Sequence, residues 1–431
     1  MDYEAALQYI KECAKFGVKL GLERMEEILR RLGNPEARFR TVHIAGTNGK
    51  GSTAAMFDSV FQEAGYKTGR YTSPHLVSYR ERFTVNGVWI TKAQISEIIT
   101  RIMPVLKAVA SEGFGAPTEF EIGTVIAFEF FAKAQADIAV IEVGMGGRFD
   151  ATNVIRPDLS VITHIDYDHQ QYLGDSLEEI AFEKAGIIKT GVPVVIGVQR
   201  DGIEEFIRRI AHSRDALAKS VAATQIRKVF VRETGTQVEF ETPTWGNIPV
   251  KLGFIGQHQA VNCLNVLAGM EMLAEAGMAV SKTILRFGLE QAAWPGRMER
   301  IPAVTTTKLY LDGAHNPDGM SAIVETIQTL YPGQKVDWLI GILNNRPLAE
   351  MAAILAPVAA RVIVTEVPDG KTATVNELES AFQAAGMITV SEPDPKKALE
   401  LLIHTENPVA VAAGSLYLIG FLRGILLDVH D

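Results

Sequence analysis

Residues 39–52 read FRTVHIAGTNGKGS, and this stretch decides the fold. Its first seven residues are strand-like, the GTNGKGS that follows (residues 46–52) is a glycine-rich turn, and Phe57, Val60, Phe61 and Ala64 then recur at helical spacing until Gly65. Strand, glycine turn and helix in that order let backbone N–H groups close around phosphate. The helix N-terminus adds partial positive charge, and Lys50 reaches the terminal phosphates. The turn departs from the common G-x-x-x-x-G-K-[ST] spacing, because Ile44 stands where the first glycine would be and Gly51 precedes Ser52.

Working outward, residues 68–72, 138–143 and 159–164 are apolar enough to be strands buried on both faces of a parallel sheet, with helices expected over 91–110 and 120–134. Ligands in open α/β sheets collect beyond the carboxyl ends of strands. Those ends are chemically loaded: Ser73, Pro74 and His75 follow the first, Glu142 closes the second before GMGGRFDATN, and the third leads into DYDH (residues 166–169). A hydroxyl, a carboxylate and an imidazole beside a triphosphate suit Mg²⁺, which takes oxygen-rich octahedral shells completed by water. Each residue alone also fits a turn, a solvated acid or a satisfied polar group; their convergence beyond one sheet edge points to chemistry.

Lys184 in EKAGI (residues 183–187) lies on a helix near the same edge. Buried beside cations, its ammonium would be destabilised, and a neutral amine adds CO₂ to give a carbamate with metal-ligating oxygens. From composition alone, an ion pair with a nearby acid is favoured.

Residues 228–232, 237–242 and 248–252 are separated by turn residues and read as a small antiparallel sheet. Near WPGRME (residues 294–299) the pattern restarts, with strands at 309–311, 336–343, 361–367 and 409–413. In this second α/β unit LDGAHNPDG (residues 311–319) ends a strand and opens a helix, so Asp312 and His315 point toward the first unit; a plain turn with an Asn-Pro helix start explains the same letters. The expected division is 1–297 and 298–431. Before the phosphate loop, residues 3–31 read as two helices around residues 17–21.

Composition bounds the rest. The chain has 431 residues, 47% hydrophobic and 22% charged, which fits two to three folded domains and excludes disorder. With 42 Lys+Arg against 51 Asp+Glu, the net charge of -9 argues against a basic nucleic-acid face. Two distant cysteines, Cys13 and Cys263, make neither a disulfide framework nor a zinc site, and the start of the chain lacks a cationic then apolar leader pattern. The apolar tract at 408–427 is broken by Gly414, Ser415, Gly420 and Arg423, so strand then helix is expected rather than a membrane span. A cytoplasmic location without membrane or nucleic-acid partners follows.

GTNGKGS, YTSPHL, EVGMGGRFDATN, DH-x-x-YLG, EKAGI, GQHQAVN, PGRME and LDGAHNP, in this order and spacing, resemble the folylpolyglutamate synthase and dihydrofolate synthase family of the Mur ligase superfamily. The resemblance runs from GLERMEEILRRLGNP (residues 21–35) to AAGSLYLIG (residues 412–420). It implies a P-loop NTPase-like Mur ligase central domain with a small antiparallel sheet, a C-terminal Rossmann-like α/β domain, and an active site between them. It further implies that Asn48, Gly49, Lys50, Gly51 and Ser52 hold the phosphates of ATP, that Asn262, Arg297 and Asp312 contact the nucleotide, and that Ser73, Glu142 and His169 bind Mg²⁺. Lys184 matches a carbamylated lysine that helps hold a second Mg²⁺, and His315 lies in the motif facing the reaction centre. Thr118, Phe120, Phe149, Asp150 and Ala151 fall on positions near the pterin, where an aromatic ring stacks on the flat heterocycle; for Phe120 and Phe149 core packing fits equally well. The implied partners are small molecules only, namely ATP, L-glutamate and a reduced folate or dihydropteroate, handled by a monomer.

Two departures stand out. The Asp-Lys-Asp element frequent in the family after Leu343 is replaced by Asn344-Asn345-Arg346-Pro347, and GVKLGLERM (residues 17–25) lacks the Ile-Asp-Leu-Gly-Leu form of some bifunctional members. Two rival functions were open: a P-loop ATPase driving a partner, and a peptidoglycan precursor ligase. The second needs an N-terminal UDP-sugar domain, for which the residues ahead of position 46 are too few.

Overall fold

The computed structural model describes residues 1–13, 21–302, 307–368 and 371–429. The first two expected helices form at Tyr3–Cys13 and Glu23–Arg31; the link between them and the start of the GVKLGLERM departure, residues 17–20, lie outside the described residues.

Eight strands make the first sheet: β1 (Arg40–Ala45), β2 (Thr68–Tyr71), β3 (Phe83–Val85), β4 (Val88–Trp89), β5 (Ile138–Glu142), β6 (Leu159–Ile162), β7 (Val194–Ile196) and β8 (Ala218–Ser220). Their order is β4-β3-β2-β5-β1-β6-β7-β8. Strands β2, β5, β1, β6, β7 and β8 run parallel, while β3 and β4 add an antiparallel edge. The strands expected at 39–45, 68–72, 138–143 and 159–164 are present, each one or two residues shorter: β1 lacks Phe39 at its start, and the last residues of the other three leave the ladder to build loops. The short outer strands β3, β4 and β8 were not anticipated, since two or three residues carry no periodic signal.

Both faces of this sheet are covered, as its apolar central strands require. One face packs on the helix Lys50–Glu63 and the helix Gln257–Glu275 through Phe57, Phe61, Leu264 and Met270. The other packs on helices Tyr3–Cys13, Lys92–Val109 and Glu119–Ala134. Met56, Phe57, Val60 and Phe61 are all fully buried, and at about 1.5–3 kcal/mol for each such side chain this burial anchors the helix that carries the phosphate loop. The expected antiparallel sheet forms from β9 (Ile226–Arg232), β10 (Gly235–Thr242) and β11 (Gly246–Leu252).

The second large sheet has six strands, β12 (Glu299–Arg300), β13 (Lys308–Leu311), β14 (Val336–Ile340), β15 (Ala359–Val364), β16 (Thr389–Ser391) and β17 (Val409–Ala413), ordered β12-β13-β17-β14-β15-β16. All but β12 are parallel to their neighbours. The strand expected over 336–343 stops at Ile340. Beyond it Leu343 makes an isolated bridge to Thr372, so the last residues become a loop at the strand's carboxyl end. The apolar tract after residue 408 is strand β17 followed by the helix Leu416–Leu427, and no helix among the described residues is long and apolar enough to cross a membrane.

The carboxyl edges of the two large sheets face each other. Hydrogen bonds from Asn48 to Asn316 and from Asn316 to Asp168 span the gap between them.

Candidate active site

The loop after β1 is shaped by two glycines. Gly49 has φ +88° and lies against the Asn262 amide, while a methyl at Gly46 would overlap the Thr163 hydroxyl. Only residues without a Cβ fit this cradle. Lys50 curls back so that its Nζ donates to the carbonyls of Gly46 (3.0 Å) and Thr47 (3.1 Å). Thr163 ties the loop to β6 by donating from its Oγ1 to Asn48 O at 2.8 Å.

Lys184 is buried, and its Nζ donates to the carbonyl of Gly46 at 2.9 Å. Among the described residues the ion pair with a neighbouring acid favoured from composition does not form. Burial and the nearby charge of Lys50 push the Lys184 ammonium down to about 7, which favours the neutral amine over the range expected for an exposed lysine.

Glu142 ends β5 in a buried position, where its Oε2 accepts from Ser73 N at 3.2 Å. Burial raises its carboxyl, an effect that the charges of Lys50 and Arg297 and the Ser73 N–H oppose. His169 sits in the left-handed region at φ +52° as the N-cap of the short helix Gln170–Leu173. Its side chain is 39% exposed at the mouth of the cleft, and partial desolvation with the charges of Arg346, His315 and Lys50 lowers its imidazole, which favours the neutral form in which a histidine ligates metal.

The pterin candidates form one wall. Thr118 and Glu121 cap the helix Glu119–Ala134 reciprocally, with Glu121 N donating to Thr118 Oγ1 at 3.2 Å and Thr118 N to Glu121 Oε2 at 2.7 Å. Arg24, buried, pairs with Glu121 at 2.8 Å and fixes the turn by donating to Phe114 O at 3.1 Å. Phe120 stacks on Tyr71 at 6.0 Å and faces the same cleft as Phe149. Asp150 accepts from the N–H groups of Gly144, Met145 and Thr152, each at 3.0 Å, and thereby shapes the turn around Phe149 and the buried Ala151.

From the second sheet, Asp312 at the end of β13 accepts from Met298 N and Ala314 N, both at 2.7 Å, and so ties the Arg297 turn to the His315 turn. Burial raises its carboxyl against the opposing charge of Arg297. His315 Nδ1 contacts Gly313 O at 2.8 Å, which directs Nε2 at Asp168, 3.7 Å away. Asn262 donates from Nδ2 to Gln259 Oε1 at 3.0 Å.

All eighteen residues singled out in the sequence therefore lie on or beside one cleft of about 880 Å³, bounded by the edges of both large sheets. Several lining residues were passed over. Asp168, Asp318 and Arg346 are among them, as is buried Arg82, which donates to His75 Nδ1 at 3.0 Å. Asp168 stands one residue before His169, and Arg346 is the one charge in GILNNRP; both signals were present but gain meaning only across the cleft. His164, Asp166 and Asp318 also bring one ligand atom each within 4.8 Å of one another. Arg200 already pairs with Asp166 at 2.5 Å and Asn48 with Asp318 at 2.6 Å, so these carboxylates are satisfied without a metal.

A parallel sheet bearing a phosphate cradle, facing a second α/β sheet across such a cleft, is the arrangement of the Mur ligases. The Mur ligase middle domain matches residues 44–270, and the Mur ligase glutamate ligase domain matches residues 296–416. The chain belongs to this family and is a ligase. Within it, the chain belongs to the dihydrofolate synthase/folylpolyglutamate synthase family. It is 36% identical over 426 residues to the Bacillus subtilis dihydrofolate synthase/folylpolyglutamate synthase, covering 98% of each chain. It is 30% identical over 431 residues to the Lacticaseibacillus casei folylpolyglutamate synthase, covering 99% of each. It superimposes on the structure of Mycobacterium tuberculosis folylpolyglutamate synthase complexed with ADP with a TM-score of 0.91 at 29% identity, covering all of both chains.

Proposed function

We propose that this ligase uses ATP to join L-glutamate to the carboxylate of a reduced folate, and that dihydropteroate is a second acceptor. The observation that carries this reading is the single cleft in which the phosphate cradle, Glu142, Lys184, Arg297 and His315 meet the aromatic wall of Phe120 and Phe149. We read residues 1–297 as the nucleotide and pterin domain and 298–431 as the glutamate domain, in a monomer of the cytoplasm.

The donor set fits Mg²⁺: a buried carboxylate (Glu142), a hydroxyl (Ser73) and an imidazole lowered toward its neutral form (His169) line one cleft beyond the carboxyl ends of β5, β2 and β6. A carbamate on Lys184, for which a partly neutral amine is the precondition, adds oxygen ligands for a second ion. Bound there, the metal ions offset negative charge on the phosphates.

A carboxylate does not condense with an amine at neutral pH without activation. In the first step the γ-phosphoryl group passes to the acceptor's carboxylate, giving an acyl phosphate. Asn48, Gly49, Gly51 and Ser52 hold the phosphates through the loop and helix N-terminus, while Lys50 leaves its own loop carbonyls to meet the transferring group. Asn262, Arg297 and Asp312 orient the nucleotide. The glutamate amine then attacks the acyl carbon and phosphate departs, with His315 beside the reacting groups. Apposition of the two sheet edges aligns the partners and keeps water away from the acyl phosphate.

The test is to incubate the purified protein with ATP, Mg²⁺, L-glutamate and each of dihydropteroate, tetrahydrofolate and its glutamylated forms, and to read product masses. The expected outcome is one added glutamate per ATP consumed. ATP turnover independent of both co-substrates would instead establish an ATPase that drives a partner.

A further inference from the structure

The segment in which this chain departs from the family pattern, Asn344-Asn345-Arg346-Pro347, lies beyond the carboxyl end of β14 in the second sheet and faces the first across the cleft. Its ends are fixed. Leu343 bridges Thr372, Asn344 N donates to Lys371 O at 2.9 Å, and Pro347 caps the helix Leu348–Leu355. From this short loop Arg346 crosses the cleft and pairs through Nη1 with Asp168 Oδ1. Both side chains are withdrawn from solvent, at 11% and 6% exposure, which separates this contact from a surface ion pair worth little. Arg346 Nε has no hydrogen-bond partner among the described residues, so Asp168 is what holds the guanidinium in place.

Asp168 is a node rather than one end of a pair. Its Oδ2 accepts from Asn316 Nδ2 at 3.2 Å and lies 3.7 Å from His315 Nε2, while its Oδ1 also accepts from His169 N at 2.8 Å. Asn316 in turn exchanges amide hydrogen bonds of 3.2 Å with Asn48 in the phosphate loop. One carboxylate on the first sheet thus gathers three side chains of the second, and it sits between the proposed metal ligand His169 and the proposed reaction-centre residue His315. The carboxylate needs no metal to account for its burial, because its partners already satisfy it.

We propose that Asp168 and Arg346 form an interdomain latch that sets the glutamate edge of the second sheet over the phosphate loop, making Arg346 a positioning residue for amide formation. This rests on the ligase reading above. Asn344 and Asn345 carry no charge, so the latch in this chain depends on one guanidinium at the tip of the loop. Without it the two edges align less often. Water then attacks the acyl carbon of the activated acceptor, the acyl C–O bond to phosphate breaks, and free carboxylate and phosphate result without an amide.

The test compares wild type, Arg346→Gln and Arg346→Lys, with phosphate release and glutamylated product measured in the same reaction. Product formation from wild type validates the underlying ligase reading, and its absence with every pterin would remove that reading independently of the latch. The latch predicts that Arg346→Gln lowers kcat for amide formation by about 10- to 100-fold, the scale of a small misplacement of reacting groups. It also predicts more than one phosphate released per amide and partial recovery of both quantities in Arg346→Lys. A rise in KM for glutamate with one phosphate still released per amide would overturn the latch and make Arg346 a contact for the incoming amino acid. Unchanged kcat and stoichiometry would overturn it as well. A variant damaged only in folding would lose product and phosphate in proportion, which also counts against the latch.

Discussion

The two sheet edges that meet at the cleft are built on different terms. On the first, Lys50 and Lys184 both end on the carbonyl of Gly46, and Glu142 takes the Ser73 N–H, so these three groups are satisfied within their own domain. On the second, Asp312 is satisfied locally, but Asn316 and Arg346 find their partners across the gap, on Asn48 and Asp168. The lysines and Glu142 of the first edge are held within their own domain, whereas Asn48 and Asp168 share their partners with the second edge across the cleft. Loss of a first-edge group should therefore remove chemistry from an intact fold, whereas loss of a crossing group should disturb alignment and leave each edge intact.

The sharpest way to break this contrast is Lys50→Ala. It should lower kcat by about 10²- to 10³-fold, as removal of one preorganised donor to developing charge does, with the melting temperature unchanged. A large fall in melting temperature would mean that the lysine's two carbonyl contacts support the loop itself. Lys184→Ala comes next, with a loss of about 10²-fold on the same reasoning and partial recovery on adding acetate or formate. The proposed carbamate has its own pH signature. Because the amine titrates near 7, the neutral form that adds CO₂ fills in as pH rises through that value, so at fixed dissolved CO₂ an isotope-labelled carbamate signal should grow over the same range. In the unfolded chain the amine keeps its proton toward 10.5, so unmodified protein should also become more stable as pH rises from about 7 toward that value. A flat profile would remove the carbamate reading.

Smaller effects test the pterin wall. Phe120→Ala should raise KM for the pterin by up to about tenfold, the scale of one aromatic stacking contact, while kcat changes less. If stability falls and KM does not, Phe120 is core packing on Tyr71. Smallest is Thr118→Ala, which removes a helix cap and should cost about 1 kcal/mol of stability, read by denaturant unfolding.

Much of this molecule was legible in its sequence because the decisive contacts are local. The glycine turn, the helix it starts and the buried strands around it follow from periodicity and from the conformations glycine allows, within about twenty residues of chain. The second α/β unit was visible for the same reason, as were the residues at strand ends. What stayed hidden were the short outer strands, whose two or three residues show no pattern, and the meaning of two charges. Lys184 read from composition as an ion-paired lysine, yet it is buried on a backbone carbonyl, an environment set by residues 138 positions away.

The sequence by itself determined the phosphate cradle, the two parallel sheets and the family, because these depend on short-range pattern and on motifs of fixed spacing. Tertiary structure alone decided which groups are neutral and which strand ends face each other. Asp168 and Arg346 lie 178 residues apart, and no local rule links them. Their pairing exists because the two sheets present their carboxyl edges to one cleft, where Arg346 joins Asn316 and the His169 N–H on a carboxylate withdrawn from water.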